Sequence, residues 1–230
     1  MSEKDNELYS FSSAIEKMVS TNKKRNFDES VEIGINLKLD SSKPDQKSLR
    51  SYVFLPSGTG KKVKVAVFCS DRAKFSEIKD AGADYVGAEE LVEDFQKGKV
   101  DCDICLASSD SIKMVAKIGK LLGSRKMMPN PKDGTVGDDL VDLVKKFKFG
   151  GLSYKTDSNG NVYASLGKAS FDVSKLLDNF MVLVRDILSK VPDSFKGGSS
   201  LFINKVWISS TMGSGSYVID KSWLLGVLHG

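Results

Sequence analysis

The chain has 230 residues, 40% of them hydrophobic, 9% aromatic and 28% charged, with a net charge of +4 and a pI of 8.8. That composition supports one large domain or two ordinary ones and excludes a disordered or fibrous chain, while the mild basicity permits an anionic partner without requiring one. Three cysteines (Cys69, Cys102, Cys105) are too few for a disulfide framework, the N-terminus lacks an apolar signal core, and no apolar run spans a bilayer, so a cytoplasmic protein without membrane contact is expected.

In chain order, residues 1–9 are polar and expected to be loose. Ser12 or Ser13 is a candidate cap for a helix over SAIEKMVS, with Glu16 as the capping-box partner of Ser13. The basic stretch Lys23-Lys24-Arg25 follows. Val31, Ile33, Ile35, Leu37 and Leu39 then alternate with polar residues, which predicts a strand with one buried and one open face. RSYVFLP predicts a second strand after a turn-rich loop. From about Lys61 the character changes. VKVAVFC predicts a strand buried on both faces, followed by a helix over AKFSEIKDA, a short strand at Tyr85-Val86, a helix over AEELVEDFQ and a buried strand at DICLA. SIKMVAKIGKLLG predicts one amphipathic helix with Asp110 as its cap, and DDLVDLVKKFKF predicts another. Near Gly150 open-faced strands return. GLSYKT and NVYASL flank Asp157-Ser158-Asn159-Gly160, a strong hairpin signal. SKLLDNFMVLVRDILSK predicts a long helix ended by Pro192. LFINKVWISS predicts a strand, with SYVI as its continuation or partner.

Alternating strands and helices in the middle predict a parallel sheet, and the flanks predict an α+β arrangement. The expected architecture is therefore two domains: an α/β three-layer, Rossmann-like domain at 61–151 inserted into a split α+β domain made of 1–60 plus 152–230, whose two groups of open-faced strands share one sheet. Residues 61–151 carry 17 basic and 15 acidic residues, and so does the remainder, so charge does not say which domain meets an anion.

Enzymatic signatures are weak. Cys102-Asp-Ile-Cys105 offers at most two metal ligands. If it lies in a strand, the two thiols face opposite sides and serve only as core packing. Gly58-Thr-Gly60-Lys61-Lys62 fails the phosphate-loop pattern, because Leu55 and Lys62 occupy the places of its first glycine and its Ser/Thr. Gly82…Gly87 and Gly119…Gly123 make no dinucleotide fingerprint. His229, the sole histidine, lies one residue from the C-terminus, which leaves little room for a triad or a His-rich zinc site. No catalytic residue, metal site or cofactor is expected. The alternative is a nucleotide- or small-ligand-binding α/β enzyme using the inserted domain. Two stretches exceed what a scaffold needs: the rigid cationic loop Lys126–Val136, and Ser209–Ser216, dense in hydroxyls and glycine, which lets a backbone approach a ligand closely and bond sugar hydroxyls or phosphates.

These stretches carry a resemblance. MMPNPKDGTVG (127–137), NFDESVEI (26–33), AGADYVGAEEL (81–91), LGKASF (166–171) and STMG (210–213) resemble, in order and spacing, signature segments of the L-one family of large-subunit ribosomal proteins. The chain departs from the family pattern in its non-basic start, in Asn26 where a lysine is common, in DSSKPDQKSLRS where a more basic segment is usual, and in the apolar tail DKSWLLGVLHG, which either packs on the domain or is an addition. The resemblance implies a structural constituent of the large subunit at its mobile side stalk, near the tRNA exit site. It implies three partners: large-subunit ribosomal RNA, the chain's own operon mRNA, whose translation it represses, and exit-site tRNA. A monomer is expected off the ribosome.

By that resemblance the RNA surface comprises Phe27, Ser30, Glu32, Lys168, Ser170, Lys205, Ser210, Thr211, Met212 and Gly213. Phe27 and Met212 offer apolar surface to sugars or bases, and Ser30, Ser210 and Thr211 offer hydroxyls to ribose. Gly213 allows close approach. Lys168 and Lys205 neutralise phosphates, whereas Glu32 must accept from a base edge or a 2′-hydroxyl. The inserted domain is expected to swing on linkers near 61 and 151.

Overall fold

The computed structural model describes residues 7–21, 25–40, 43, 46, 48–125, 127–195, 197–213 and 215–229. Lys23, Lys24, Lys126 and Ser214 of the sequence analysis lie outside them. The chain divides into two compact units, one formed by residues up to Gly60 and from Leu152 onward, the other by Lys61–Gly151.

The first unit is built around strand β2 (Ser30–Leu37), which lies between β8 (Asn161–Lys168) and β9 (Ile203–Ser210), antiparallel to both. Strand β10 (Tyr217–Ile219) adds antiparallel to β9, and β1 (Leu8–Tyr9) adds parallel to β10. The sheet order is β1-β10-β9-β2-β8. The period of two along β2 fixes its register, because a one-residue slip would turn Val31, Ile33, Ile35 and Leu37 out of the core. Helix α1 (Phe11–Thr21) contributes Phe11, Ala14, Ile15 and Met18 to that core. Helix α7 (Val173–Leu188) contributes Leu176, Phe180, Leu183, Val184 and Ile187, with Phe11 stacked on Phe180 at 4.8 Å between centroids. On the sheet's other face Glu32 is exposed and Asn36 half-buried.

Several expectations are corrected. The cap of α1 is Ser10, whose Oγ accepts from the Ser13 amide at 3.3 Å, because Phe11 must lie inside the helix to reach the core. Leu8 and Tyr9 are not loose, since β10 offers them a strand edge. The expected hairpin forms its turn, with Gly160 at φ +77° and a backbone bond from Gly160 to Asp157 at 3.2 Å. Its arms then diverge. Strand β7 (Gly151–Lys155) pairs with β3 (Arg50–Phe54) in a separate two-stranded sheet, while β8 joins β2. The two groups of open-faced strands therefore share a sheet only in part. Helix α8 (Ser199–Phe202), a single turn, takes the first two residues of the strand expected over LFINKVWISS. The apolar tail packs on its own unit: helix α9 (Lys221–His229) buries Leu224 and brings Trp223 over Phe11, centroids 6.4 Å apart.

In the second unit β4 (Val65–Phe68) lies between β5 (Tyr85–Gly87) and β6 (Ile104–Ala107), all parallel. All four residues of β4 are buried, as expected of a strand covered on both faces. Ala66 and Phe68 pack with Leu91, Val92 and Phe95 of helix α3 (Glu89–Gln96) and with Val115. Helices α2 (Phe75–Asp80) and α6 (Leu140–Phe149) pack on each other, and α6 lies against β4 and β6. Asp139 caps α6 by accepting from the Asp142 amide at 3.1 Å. The single helix expected over 111–123 is two, α4 (Ile112–Ala116) and α5 (Gly119–Ser124), interrupted at Lys117-Ile118 before the helix-weakening Gly119. The run opens at Ser108 rather than Asp110. The two thiols of Cys102 and Cys105 do converge, at 3.6 Å, because Cys102 precedes β6 and escapes the alternation that a strand would impose.

Candidate nucleic-acid interface

Three segments far apart in sequence meet at one end of the five-stranded sheet: 25–32, 167–171 and 209–213. β2 starts there and β8 and β9 end there, since Ser30 pairs with Lys168 and Val31 with Ser210. The strand ends are tied to one another by side chains. Thr211 is clamped to Ser30 in both directions: its Oγ1 accepts from the Ser30 amide at 3.0 Å and donates to the Ser30 carbonyl at 3.2 Å, while its own amide donates to that carbonyl at 3.0 Å. Lys168 Nζ donates to Ser30 Oγ at 3.1 Å and to the Asp28 carbonyl at 3.3 Å. Ser170 donates to Asp28 through its hydroxyl at 2.6 Å and its amide at 3.2 Å.

Beneath this rim lies Glu29, 6% exposed. Arg25 Nε bonds it at 2.8 Å, the Met212 amide donates to it at 3.4 Å, and Arg25 Nη2 donates to the Met212 carbonyl at 2.9 Å. The Ser210 hydroxyl holds the Glu29 carboxyl below its ordinary range. Burial works against that, and the Met212 amide and the Arg25 guanidinium reinforce it. The carboxylate therefore stays ionised and acts as the keystone of the 210–213 turn, which also carries a Gly213-to-Ser210 backbone bond of 3.0 Å.

Above the keystone the predicted residues divide by exposure. Phe27 and Met212 are both 55% exposed. Thr211 and Ser170 are exposed, and Ser30, Lys168 and Gly213 are partly so. Ser210 is buried and bonded to Glu29, so its hydroxyl supports the turn from below. Glu32 points to the open face, level with Ser165 and Ser209. Lys205 stands apart. It pairs with Asn36 at the far end of β9, five residues from Ser210 and hence roughly 17 Å away.

Sequence reasoning missed Arg25, Asp28 and Glu29, which position the site. Asp28 and Glu29 stand in the NFDES segment already singled out, but nothing local distinguishes a buried keystone carboxylate from a solvated one. It also passed over Trp207 and Tyr163 on the open face. No group of three or more potential metal ligands occurs among the described residues.

Comparison with known proteins bears on this arrangement directly. Residues 19–214 match the family model of the ribosomal protein L1p/L10e family. The chain belongs to that family. It is 46% identical over 213 residues to the large ribosomal subunit protein uL1 of Thermosipho africanus, covering 91% of this chain and 88% of the relative. It is 43% identical to the protein of the same name from Mannheimia succiniciproducens, covering 85% and 83%, and 41% identical to that of Xanthomonas campestris pv. campestris, covering 94% and 90%. The match spans all three segments of the rim and the whole second unit. Membership places the chain among ribosomal structural proteins rather than enzymes and sets aside the enzymatic alternative for the second unit.

Proposed function

We propose that the chain is a structural constituent of the large ribosomal subunit in the cytoplasm and binds large-subunit ribosomal RNA through the 25–32, 167–171 and 209–213 rim. The observation that carries this is the rim itself: exposed Phe27 and Met212 flank short polar side chains on a surface already fixed by internal hydrogen bonds. RNA helices are recognised by shape and by 2′-hydroxyls across a shallow groove, which suits a preformed surface of short polar side chains better than a field of flexible lysines. Lys168 uses two of its three ammonium hydrogens internally and offers the third to a phosphate. Lys205 takes a second, distant phosphate. The chain's seat in this reading is the side stalk near the tRNA exit site, with exit-site tRNA as a transient partner. The same surface binds the chain's own operon mRNA and represses it, and off the ribosome the chain is monomeric. The Lys61–Gly151 unit acts as an inserted, Rossmann-like α/β domain that swings without contributing to this contact.

Filter binding to a stalk-base ribosomal RNA fragment tests the reading. Tight, sequence-dependent binding at physiological salt is expected. Weak binding indifferent to RNA sequence would sink it.

A further inference from the structure

The open face of the five-stranded sheet carries a feature that the rim does not explain. Strand pairing sets its side chains in rows. One row runs Tyr163–Gly34–Trp207 across β8, β2 and β9, and the next runs Ser165–Glu32–Ser209. These six, with Ile33 and Ala164, line a groove of about 370 Å³. A Cβ on Gly34 would come within 2.2, 2.3 and 2.6 Å of three atoms of the Trp207 indole, so the half-buried ring covers the Gly34 backbone and lines the groove. Tyr163, 60% exposed, stands against it with centroids 6.0 Å apart and planes at 72°. A floor and a wall of aromatic surface thus sit beside a carboxylate and two hydroxyls.

We propose that this groove is a nucleobase subsite, in which one unpaired base of the bound RNA stacks on Trp207 and donates from its Watson–Crick edge to Glu32. The proposal rests on the RNA-binding reading and extends it along the sheet. Continuity argues for RNA as the occupant: Ser209 leads through Ser210 into Thr211 of the rim, and Glu32 lies two residues from Ser30 on β2. The chemistry argues for a base rather than backbone. A carboxylate repels phosphate and can only accept hydrogen bonds, whereas an indole that lines a groove stacks on any base. Guanine fits best, because its N1–H and N2–H lie side by side and match the two oxygens of Glu32. Ser165 and Ser209 flank the carboxylate and can bond the ribose or the remaining base edge.

The experiment uses the full chain carrying Trp223→Phe, which leaves Trp207 as the sole tryptophan. With a stalk-base ribosomal RNA fragment, Trp207 emission should be quenched on binding. Abasic substitution of the unpaired nucleotides one at a time should abolish the quenching at a single guanine position. In the otherwise natural chain, Trp207→Ala should weaken affinity roughly ten- to a hundredfold, and Trp207→Phe should keep it within about threefold. Thermal melting of each variant separates lost folding from lost stacking, and the abasic scan needs no protein variant at all. If RNA binds and Thr211→Val weakens it while Trp207 emission and the affinity of Trp207→Ala stay unchanged, the subsite is overturned and the rim stands. Emission that changes with protein concentration without RNA would show a second copy on the groove and also overturn it. Absence of any specific RNA binding would remove the functional reading and the subsite together.

Discussion

Thr211 uses one hydroxyl as both donor and acceptor to the backbone of Ser30, joining β9 to the start of β2. Valine keeps the shape and removes both bonds. Thr211→Val should therefore cost about 1 kcal/mol of stability per lost bond, in the range of ~0.5–1.5 kcal/mol each, and should weaken RNA binding by about 1 kcal/mol or more as the rim loosens. Urea unfolding and filter binding measure the two effects, and unchanged affinity would remove Thr211 from the site. Glu29 predicts a pH dependence. Its carboxyl is held below the ordinary value of 4.5 by the Ser210 hydroxyl, with help from Met212 and Arg25. A depressed carboxyl pKa means that the stabilisation is fully present above 4.5 and is lost as pH falls through the lower folded-state value. The urea midpoint should therefore drop below about pH 4.5. Glu29→Gln should flatten that part of the profile while lowering the midpoint at neutral pH. A parallel profile in the variant would show that Glu29 is not the group responsible.

At the scale of elements, the buried Asn179 of α7 joins three parts of the first unit. Its amide donates to the Gly58 carbonyl at 2.9 Å and the Leu166 carbonyl at 2.7 Å, and its side-chain oxygen accepts from the Ser57 amide at 3.0 Å. The helix thereby fixes β8 and the segment that precedes Gly60. Asn179→Ala leaves these backbone groups buried without partners and should destabilise by roughly 2–4 kcal/mol, read by urea unfolding. Asn179→Asp should fail to rescue, because a carboxylate cannot donate to the two carbonyls. The row across β8, β2 and β9 makes a second prediction. Gly34→Ala collides with Trp207 and should cost roughly 1–3 kcal/mol, whereas the same change combined with Trp207→Ser should cost much less. Equal penalties in both backgrounds would mean that the indole does not rest on Gly34.

Across the molecule, the rim and the groove belong to one unit assembled from both ends of the chain. A chain in which 61–151 is replaced by a short Gly-Ser linker should bind the RNA fragment within about threefold of the full chain, by filter binding. A larger loss would mean that the second unit contributes to the contact.

Much of this was legible in sequence. Val31 to Leu37 set the buried face of β2, because a period of two admits only one register against a core. The continuous apolar run of β4 identified a strand covered on both sides, and the motifs around Phe27, Lys168 and Thr211 marked the rim. Local pattern could not decide matters settled at long range. Which strand β7 pairs with depends on β3, about a hundred residues away, so the turn at Gly160 was visible and the divergence of its arms was not. Whether Cys102 and Cys105 meet depends on where β6 begins. Glu29 is a keystone only because Ser210, Met212 and Arg25 converge on it, and Trp207 is a platform only because its cross-strand neighbour is Gly34. By itself the sequence determined the family, the two kinds of architecture and the segments that form the rim, because these reside in local periodicity and short motifs. The tertiary structure alone decided which side chains in those segments face outward and which hold the turn from beneath, because burial and hydrogen-bond partners are created by residues that only folding brings together.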